Sequence, residues 1–429
     1  MRALVAMTVV FSVACGDDDG GTDASVDGGR DATVDAPTTD TPMADVPTDA
    51  PSGTASIQLF DFDGTPAVGV SYVFHGSEGN VLEVVVSDGF GTATGPMEDG
   101  GFISMGGLGA NTLTTIGGVR VGDAIVLPLQ VPGLASLGNT IVSIAAHGEA
   151  TSYTHGNGVG SNDLSPGAPT TTSFDARAVA DDGFIDVLGL ALDAAGSAVA
   201  YALVQDFAFI EGDNAITLPD WQSDFDAFTV ELSGIEGVTE VAVHMRLFDE
   251  NRTYTGLSAN ASLTDGAGSA SFVLPPGFGD QTEVTMEYTA GDTFRFLRWR
   301  QDGRDAPAIT SADLVPAATS VVLEAGASPA RPIIRWSSSG EASRIDLIKV
   351  GLGTVDWQLI LPPDTTELTL PELPDIQRAY RPDASATVSF VTTLDHSDHD
   401  WNSVRLRGGL EDNADAGPEF RYQTATTLP

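Results

Sequence analysis

Residues 69–95 read GVSYVFHGSEGNVLEVVVSDGFGTATG, and the way they alternate decides the fold class. With Val68 just before them, Val70, Tyr72 and Phe74 share one side of an extended chain at period two, as a half-buried strand requires. The valine-rich run NVLEVVV, residues 80–86, is a second strand by its β-branched composition. Asp88-Gly89 and Gly91 then mark a tight turn, because glycine reaches positive φ at no steric cost. The same pattern recurs in both directions from here. SIQLFDF, FTVELSG, TEVAVHMRLFD and TVSFVTTLD are short alternating or apolar runs separated by turns rich in Gly, Asp and Pro. Hardly any segment sustains a helical stripe. The chain reads as all-β: tandem antiparallel β-sandwich domains that follow a disordered acidic tether.

Length and charge narrow the function. A chain of 429 residues with 42% hydrophobic content can bury two to four cores. Nineteen basic residues against sixty acidic ones give a net charge of −41. Such a field repels phosphate backbones, whose binding needs Lys and Arg to release counterions, so nucleic acid is excluded as a partner. One cysteine in the chain rules out an internal disulfide framework and any Cys-based zinc site.

Residues 54–131 form the first folded unit. There GTPAVGVSYVFHGSEG is followed by VVVSDGFGTATGPMEDGGFISM: a valine-rich strand after a Gly-Thr-Pro turn, an Asp-Gly turn with Gly91, Thr92 and Ala93, then a Gly-led strand. This order resembles the carboxypeptidase regulatory-like domain, a small transthyretin-like or immunoglobulin-like sandwich. The resemblance implies an accessory scaffold and brings no peptidase residues. Residues 132–325 read as a β-sandwich unit of unknown type. Within it DVLGLALDAAGSAVAYALVQDFAF suggests two strands around an AAGS turn, although its alanines also allow a short helix. The uncharged stretch from Ala124 to Ala146 is broken by Pro128, Pro132, Gly133 and Gly138, which suits two buried strands with an irregular join rather than a membrane span. Residues 326–429 form the last unit, with Trp336 in RPIIRWSSSG and a later Thr-Leu-Pro stretch before ATVSFVTTL. It resembles a fibronectin type III-like sandwich, in which an early tryptophan fills the core.

The amino terminus gives an address. Met1 and Arg2 precede an apolar run, Ala3 to Val13, of signal-peptide length and too short to span a bilayer. The run closes in FSVAC, residues 11–15, which resembles the lipobox of bacterial lipoproteins, with Ser12 where that family usually has leucine. The resemblance implies a signal peptide over residues 1–15, cleaved before Cys15, and lipidation of Cys15 by diacylglyceryl and palmitate-type chains. More than one acyl chain makes membrane attachment stable. Gly16 stands where an aspartate would retain the protein at the inner membrane, so the outer membrane or cell surface is the implied destination. An ordinary secretory signal beside a chance cysteine is the other reading. Residues 16–53 hold ten aspartates and no aromatic residue, so they cannot bury enough surface to offset chain entropy. As a flexible chain they would span roughly 35 Å.

Candidate chemistry is sparse. DHSDHDW puts His396, Asp398 and Asp400 on one side of an extended chain and Asp395 and His399 on the other, short of a closed four-ligand zinc site and suited to a solvated tip. HGEATSYTH joins His147 to His155 without the His-Glu-x-x-His spacing of one helical face. EDNADAG, residues 411–417, alternates acids like a calcium loop, but its glycine is one place late and the closing glutamate is missing. TFRFLRWRQDGRD carries Arg295, Arg298, Arg300 and Trp299, a basic aromatic stripe that could meet an acidic glycan or protein, or pair with local carboxylates. The expectation is therefore no catalytic residue, metal or cofactor, and a lipid-anchored envelope protein with a binding, display or structural role toward an envelope protein or glycan. The alternative is an envelope hydrolase using acidic residues of the middle unit on glycan or peptide.

Overall fold

A computed structural model describes residues 53–60, 65–106, 112–127, 136–156, 161–175, 183–210, 212, 214–249, 252–328, 330–339, 347–352, 357–383, 385–397, 400–406 and 420–428. Cys15, the tether up to residue 52, and the calcium-like loop at 411–417 lie outside them.

The first unit contains β1 (Gly53–Leu59), β2 (Ser71–His75), β3 (Val81–Val86), β4 (Thr92–Met97), β5 (Gly101–Gly106), β6 (Leu113–Val119) and β7 (Ala124–Leu127). β1 pairs antiparallel with β4 and parallel with β7, and this three-strand sheet faces strands ordered β3-β2-β5-β6. Tyr72 and Phe74 are fully buried between the sheets with Ile57, Ile103 and Ile116. Val68 is not on the strand and is exposed, because β2 starts only at Ser71. The Asp88 turn forms as its residues dictate: Asp88 Oδ1 accepts from the N–H groups of Phe90 (2.8 Å) and Thr92 (3.0 Å). Gly91 sits there at φ +72°, where an added Cβ would meet the Leu59 carbonyl oxygen at 2.5 Å.

The single unit expected over residues 132–325 is two sandwiches, and each repeats this strand order. The second unit runs β8 (Ser136–Ser143), β9 (Ser152–Gly156), β10 (Ser161–Asp163), β11 (Thr170–Asp175), β12 (Phe184–Leu192), β13 (Ala198–Ala208) and β14 (Asn214–Thr217). The third runs β15 (Asp226–Ser233), β16 (Glu240–Asp249), β17 (Arg252–Ser262), β18 (Gly268–Leu274), β19 (Gln281–Ala290), β20 (Thr293–Asp302) and β21 (Ala308–Thr310). In both, the first strand pairs antiparallel with the fourth and parallel with the seventh, opposite a sheet of third, second, fifth and sixth strands. The division is hidden in the sequence because only eight residues, 218–225, separate β14 from β15, with no shift in composition. The alanine-rich segment of the second unit is strand, not helix. Asp193 Oδ1 closes its turn on the N–H groups of Ala195 (2.8 Å) and Ser197 (2.9 Å).

The fourth unit contains β22 (Ala318–Glu324), β23 (Ile333–Ser338), β24 (Leu347–Leu352), β25 (Trp357–Leu361), β26 (Glu367–Thr369), β27 (Val388–His396), helix α1 (Trp401–Leu406) and β28 (Phe420–Thr427). Sheet β22-β23-β26 faces β28-β27-β24-β25, and Trp336 on β23 is buried among Val350, Trp357 and Leu359.

Three of the four large sheets are one. β20 pairs antiparallel with β28, and β25 pairs parallel with β6, so the order β17-β16-β19-β20-β28-β27-β24-β25-β6-β5-β2-β3 runs unbroken through twelve strands. The fourth unit in sequence thus lies between the third and the first. Registers place the cores on opposite faces. Trp357 and Leu359 share a face with Leu113 and Thr115 and belong to the fourth core, whereas Ile360 and Ile116 face the first. Strands at the seam are accordingly buried on both sides, as Gly101–Met105 is throughout. The second unit stands outside this sheet and packs against β17 through β9, β10 and β12.

A buried polar chain crosses the seam. Trp357 Nε1 donates to Thr115 Oγ1 (2.9 Å), which is 2.8 Å from Ser104 Oγ, which is 2.9 Å from His75 Nε2. On the same face Glu372 N–H donates to the Gly79 carbonyl (2.8 Å), and Arg331 reaches the Glu78 carbonyl. On the opposite face α1 lies against the first unit, where Arg405 grips Asp123 with Nε–Oδ2 at 2.9 Å and Nη2–Oδ1 at 2.8 Å.

Burial, with the nearby Arg331 charge adding to it, lowers the His75 pKa to about 4. A histidine whose folded pKa lies below its unfolded value of about 6.5 binds fewer protons when folded. Its contribution is then complete above about pH 6.5 and is lost as pH falls toward 4, by about 3 kcal/mol in all. Urea unfolding of the wild type and His75→Gln over this range should show the wild type losing that much more stability on acidification. Parallel curves would show that His75 titrates alike in both states.

Candidate functional site

The basic stripe lies on β20, and the hairpin that carries it fixes its partner. Ala290 pairs with Thr293 across Gly291-Asp292, a two-residue turn with Gly291 at φ +58°. Counting back places Glu283 opposite Arg300, and Arg246 of β16 lies opposite Glu283 on its other side. These side chains point away from the third core, yet Glu283 is fully buried and Arg298 and Arg300 nearly so. Glu283 Oε2 is 2.8 Å from Arg298 Nε and 3.0 Å from Arg300 Nη2, and Oε1 is 3.5 Å from Arg246 Nη1. Burial presses the Arg300 guanidinium below its ordinary range, and Glu283 is the charge that opposes this. The remaining stripe residues face the other way. Arg295 donates to the Val315 carbonyl (2.7 Å), and Trp299 packs on the third core with Arg421 5.9 Å above its ring. The stripe is two-sided, with pairing to local charge on one face and packing on the other.

The histidine groups separate in space. His147 leans edge-on against Trp221 with ring centroids 5.9 Å apart, while His155 is fully buried beside Phe174, 5.7 Å away. Burial lowers the His155 pKa, with its bond to the Gly156 carbonyl acting against the shift. His396 is not at a solvated tip. It ends β27, buried, with its ring 6.1 Å from that of Tyr422. Asp395 points to the opposite face and accepts from Gln423 Nε2 (3.1 Å). Asp400 starts α1 by accepting from the Ser403 N–H (2.9 Å). Asp398 and His399 lie outside the described residues. Among the described residues no group of three His, Cys, Asp or Glu side chains is placed to hold a metal ion.

The His75–Ser104 contact has the distance of a nucleophile and its base, but both residues are completely buried, and Ser104 is engaged by Thr115 on its other side. A substrate carbonyl has no path to that oxygen, so the contact is structural. Of the described acids of residues 132–325, Glu283 is buried and held as above, whereas Asp224 and Asp226 are exposed, Asp224 accepting from the Tyr201 hydroxyl (2.9 Å) and Asp226 facing Arg304 at 3.4 Å. Burial first, then the bond to Asp224, pushes the Tyr201 hydroxyl pKa up.

The Glu283 cluster is a cross-strand fastener, and among the described residues Glu283 is the carboxylate that meets all three guanidinium groups, so removing its charge leaves buried positive charge less compensated. Glu283→Gln should cost about 3–5 kcal/mol, read by urea denaturation, whereas half-exposed Arg246→Gln should cost less than about 1 kcal/mol. A neutral effect of Glu283→Gln would show that other groups neutralise the arginines.

No family model matches the chain, and no curated protein matches it. Among solved structures, the Bacillus anthracis TIE protein shares 11% identity with a TM-score of 0.16, over 60% of this chain and 50% of that one. The chain thus spans about half the length of that structure, and a likeness of this size carries neither fold nor function.

Proposed function

We propose that the protein is a lipid-anchored component of a bacterial cell envelope that binds, displays or scaffolds rather than catalyses. The observation that carries this reading is the position of the only cysteine, Cys15, at the end of the apolar run and directly before an aspartate-rich segment. Acylation at Cys15 would attach the chain to a membrane, and residues 16–53 would hold the sandwiches away from it. β1 begins at Gly53, so the first unit follows the acidic segment without an intervening element. Interiors filled by apolar side chains, with the buried Glu283 matched by arginines, favour a scaffold over a catalyst. The three-on-four strand division of the fourth unit supports the fibronectin type III-like reading of residues 326–429. The order of the first supports a transthyretin-like accessory domain, and the recurrence of that order suggests a tandem series. Its partner would be an envelope protein or glycan.

The test is the mass of the amino-terminal peptide from host membranes, beside a Cys15→Ala variant. We expect a peptide that starts at acylated Cys15, and a variant released into the soluble fraction. An unmodified start elsewhere, or a variant that stays on membranes, would overturn the anchor.

A further inference from the structure

β3 is the free end of the twelve-strand sheet, and the three repeated units allow a comparison of what becomes of this position. In the second unit the equivalent strand, β10, is cut to three polar residues, Ser161–Asp163. In the third it is β17, which the second unit covers. Only in the first unit is it apolar: β3 reads VLEVVV, with no proline, lysine or glycine. These are two of the ways in which proteins blunt sheet edges, and β3 uses neither.

The backbone orientation follows from the pairing with β2. Ser87 N–H donates to the Val70 carbonyl on β2's side, and the alternation of an antiparallel ladder then turns the N–H and C=O groups of Val84 and Val86 outward. The one irregularity, between Phe74 and His75, lies opposite Leu82 and leaves Glu83 to Val86 regular. Val84 and Val86 are 39% and 56% exposed, and Val68 (62%) and Phe90 (74%) at the adjoining turns lengthen the apolar strip. Gly69 N–H donates to the Ser87 carbonyl, which ties the Val68 turn to the end of β3.

We propose that β3 is a self-association edge, and that two copies of this chain pair antiparallel about a two-fold axis at Val85. In this register Val84 of one copy lies opposite Val86 of the other, twice, and both have outward backbone groups, so each pair exchanges two N–H···O bonds. Val85 meets Val85, and Glu83 faces Ser87, which keeps the two glutamates at opposite ends of the contact. The strand is thus self-complementary in hydrogen bonding, shape and charge, as an isologous interface requires. Edge-to-edge pairing is also how this chain joins its own units, at β20–β28 and at β6–β25. The pair would continue the sheet from one molecule into the next. The net charge of −41 opposes this association, so added salt should tighten it.

The experiment is sedimentation equilibrium of the full Cys15→Ala chain, which can form neither a disulfide dimer nor a lipid micelle, across a dilution series at low and high salt. We expect a monomer–dimer equilibrium that shifts toward dimer with salt and is abolished by Val84→Lys and by Val84→Pro. Both substitutions sit where the N–H faces outward, so the bonds to β2 and the melting curve should be retained. Val322→Lys on β22, an exposed edge position of the fourth unit, should leave the dimer intact. A chain that is monomeric at every concentration, or a dimer that survives both Val84 variants, overturns the proposal.

Discussion

The parallel pairing of β6 with β25 is the constraint on which the architecture rests. It brings Leu113 against Trp357 and Ile116 against Ile360, residues more than two hundred apart in sequence. Parallel strands are buried on both faces more often than antiparallel ones, and here the reason is visible. One face of the seam belongs to the first core and the other to the fourth. Trp357 is fully buried, its N–H meets a polar chain that ends at His75, and the segment from Leu370 onward lies over the outer face of the first unit. Without the seam Phe102, Leu113 and Ser104 would face water on what is otherwise the exterior of a small sandwich. A unit that buries both sheet faces in this way depends on its neighbour, so the first and fourth units are halves of one packing arrangement and not beads on a string.

Repetition of one strand order with different edges explains how a linear array becomes a compact arrangement. A seven-strand unit of this kind exposes two ends of its four-strand sheet, the third strand and the sixth. In the first and third units the sixth strand, β6 or β20, is taken up by the fourth unit on either side. The fourth unit is built to accept both, with β28 at one end and β25 at the other. It therefore acts as a keystone although it follows the other three units in sequence, and the twelve-strand sheet is complete only when residues 347–428 have folded. Such long-range pairing carries a loop-closure cost that local hairpins do not.

Much of this was legible residue by residue and little of it globally. Period-two runs such as Tyr72–Phe74, the Asp88-Gly89 turn and the core role of Trp336 follow from local chemistry that tertiary context did not override. Hairpin arithmetic could also have found Glu283. With Gly291-Asp292 as the turn, it falls opposite Arg300, and a carboxylate paired to a basic stripe announces a fastener. Three features were not legible. The eight-residue join before β15 carries no linker composition, so two units read as one. His396 reads as solvated because its neighbours Asp395 and Ser397 are polar, while its burial comes from strand β28. The seam itself has no local signature beyond runs buried on both faces, and those look the same as any core strand.

The scarcity of cations gives the remaining ones a readable logic. Sixty acids repel one another across the surface, and each guanidinium can offset only what it touches. Among the described residues some arginines neutralise surface acids, as Arg335 does between Glu324 and Glu367, and others hold internal contacts. Arg405 clamps Asp123 between α1 and the first unit, Arg331 donates to the Leu370 carbonyl (3.0 Å), and Arg381 to the Leu373 carbonyl (2.8 Å). Arg295 reaches the Val315 carbonyl and Arg304 that of Pro275 (2.7 Å each). Apart from the short-range Arg381 bond, each ties a strand or turn to a segment twenty or more residues away, and the planar fork with several fixed donors suits this better than a lysine ammonium would. A carbonyl acceptor leaves the positive charge in place, so these arginines also make the local potential less negative at the contacts they hold. At the contact between the fourth and first units, Arg405 on Asp123 and Arg331 on the Glu78 carbonyl bring positive charge to a place where two strongly acidic units meet, and this offsets part of their mutual repulsion.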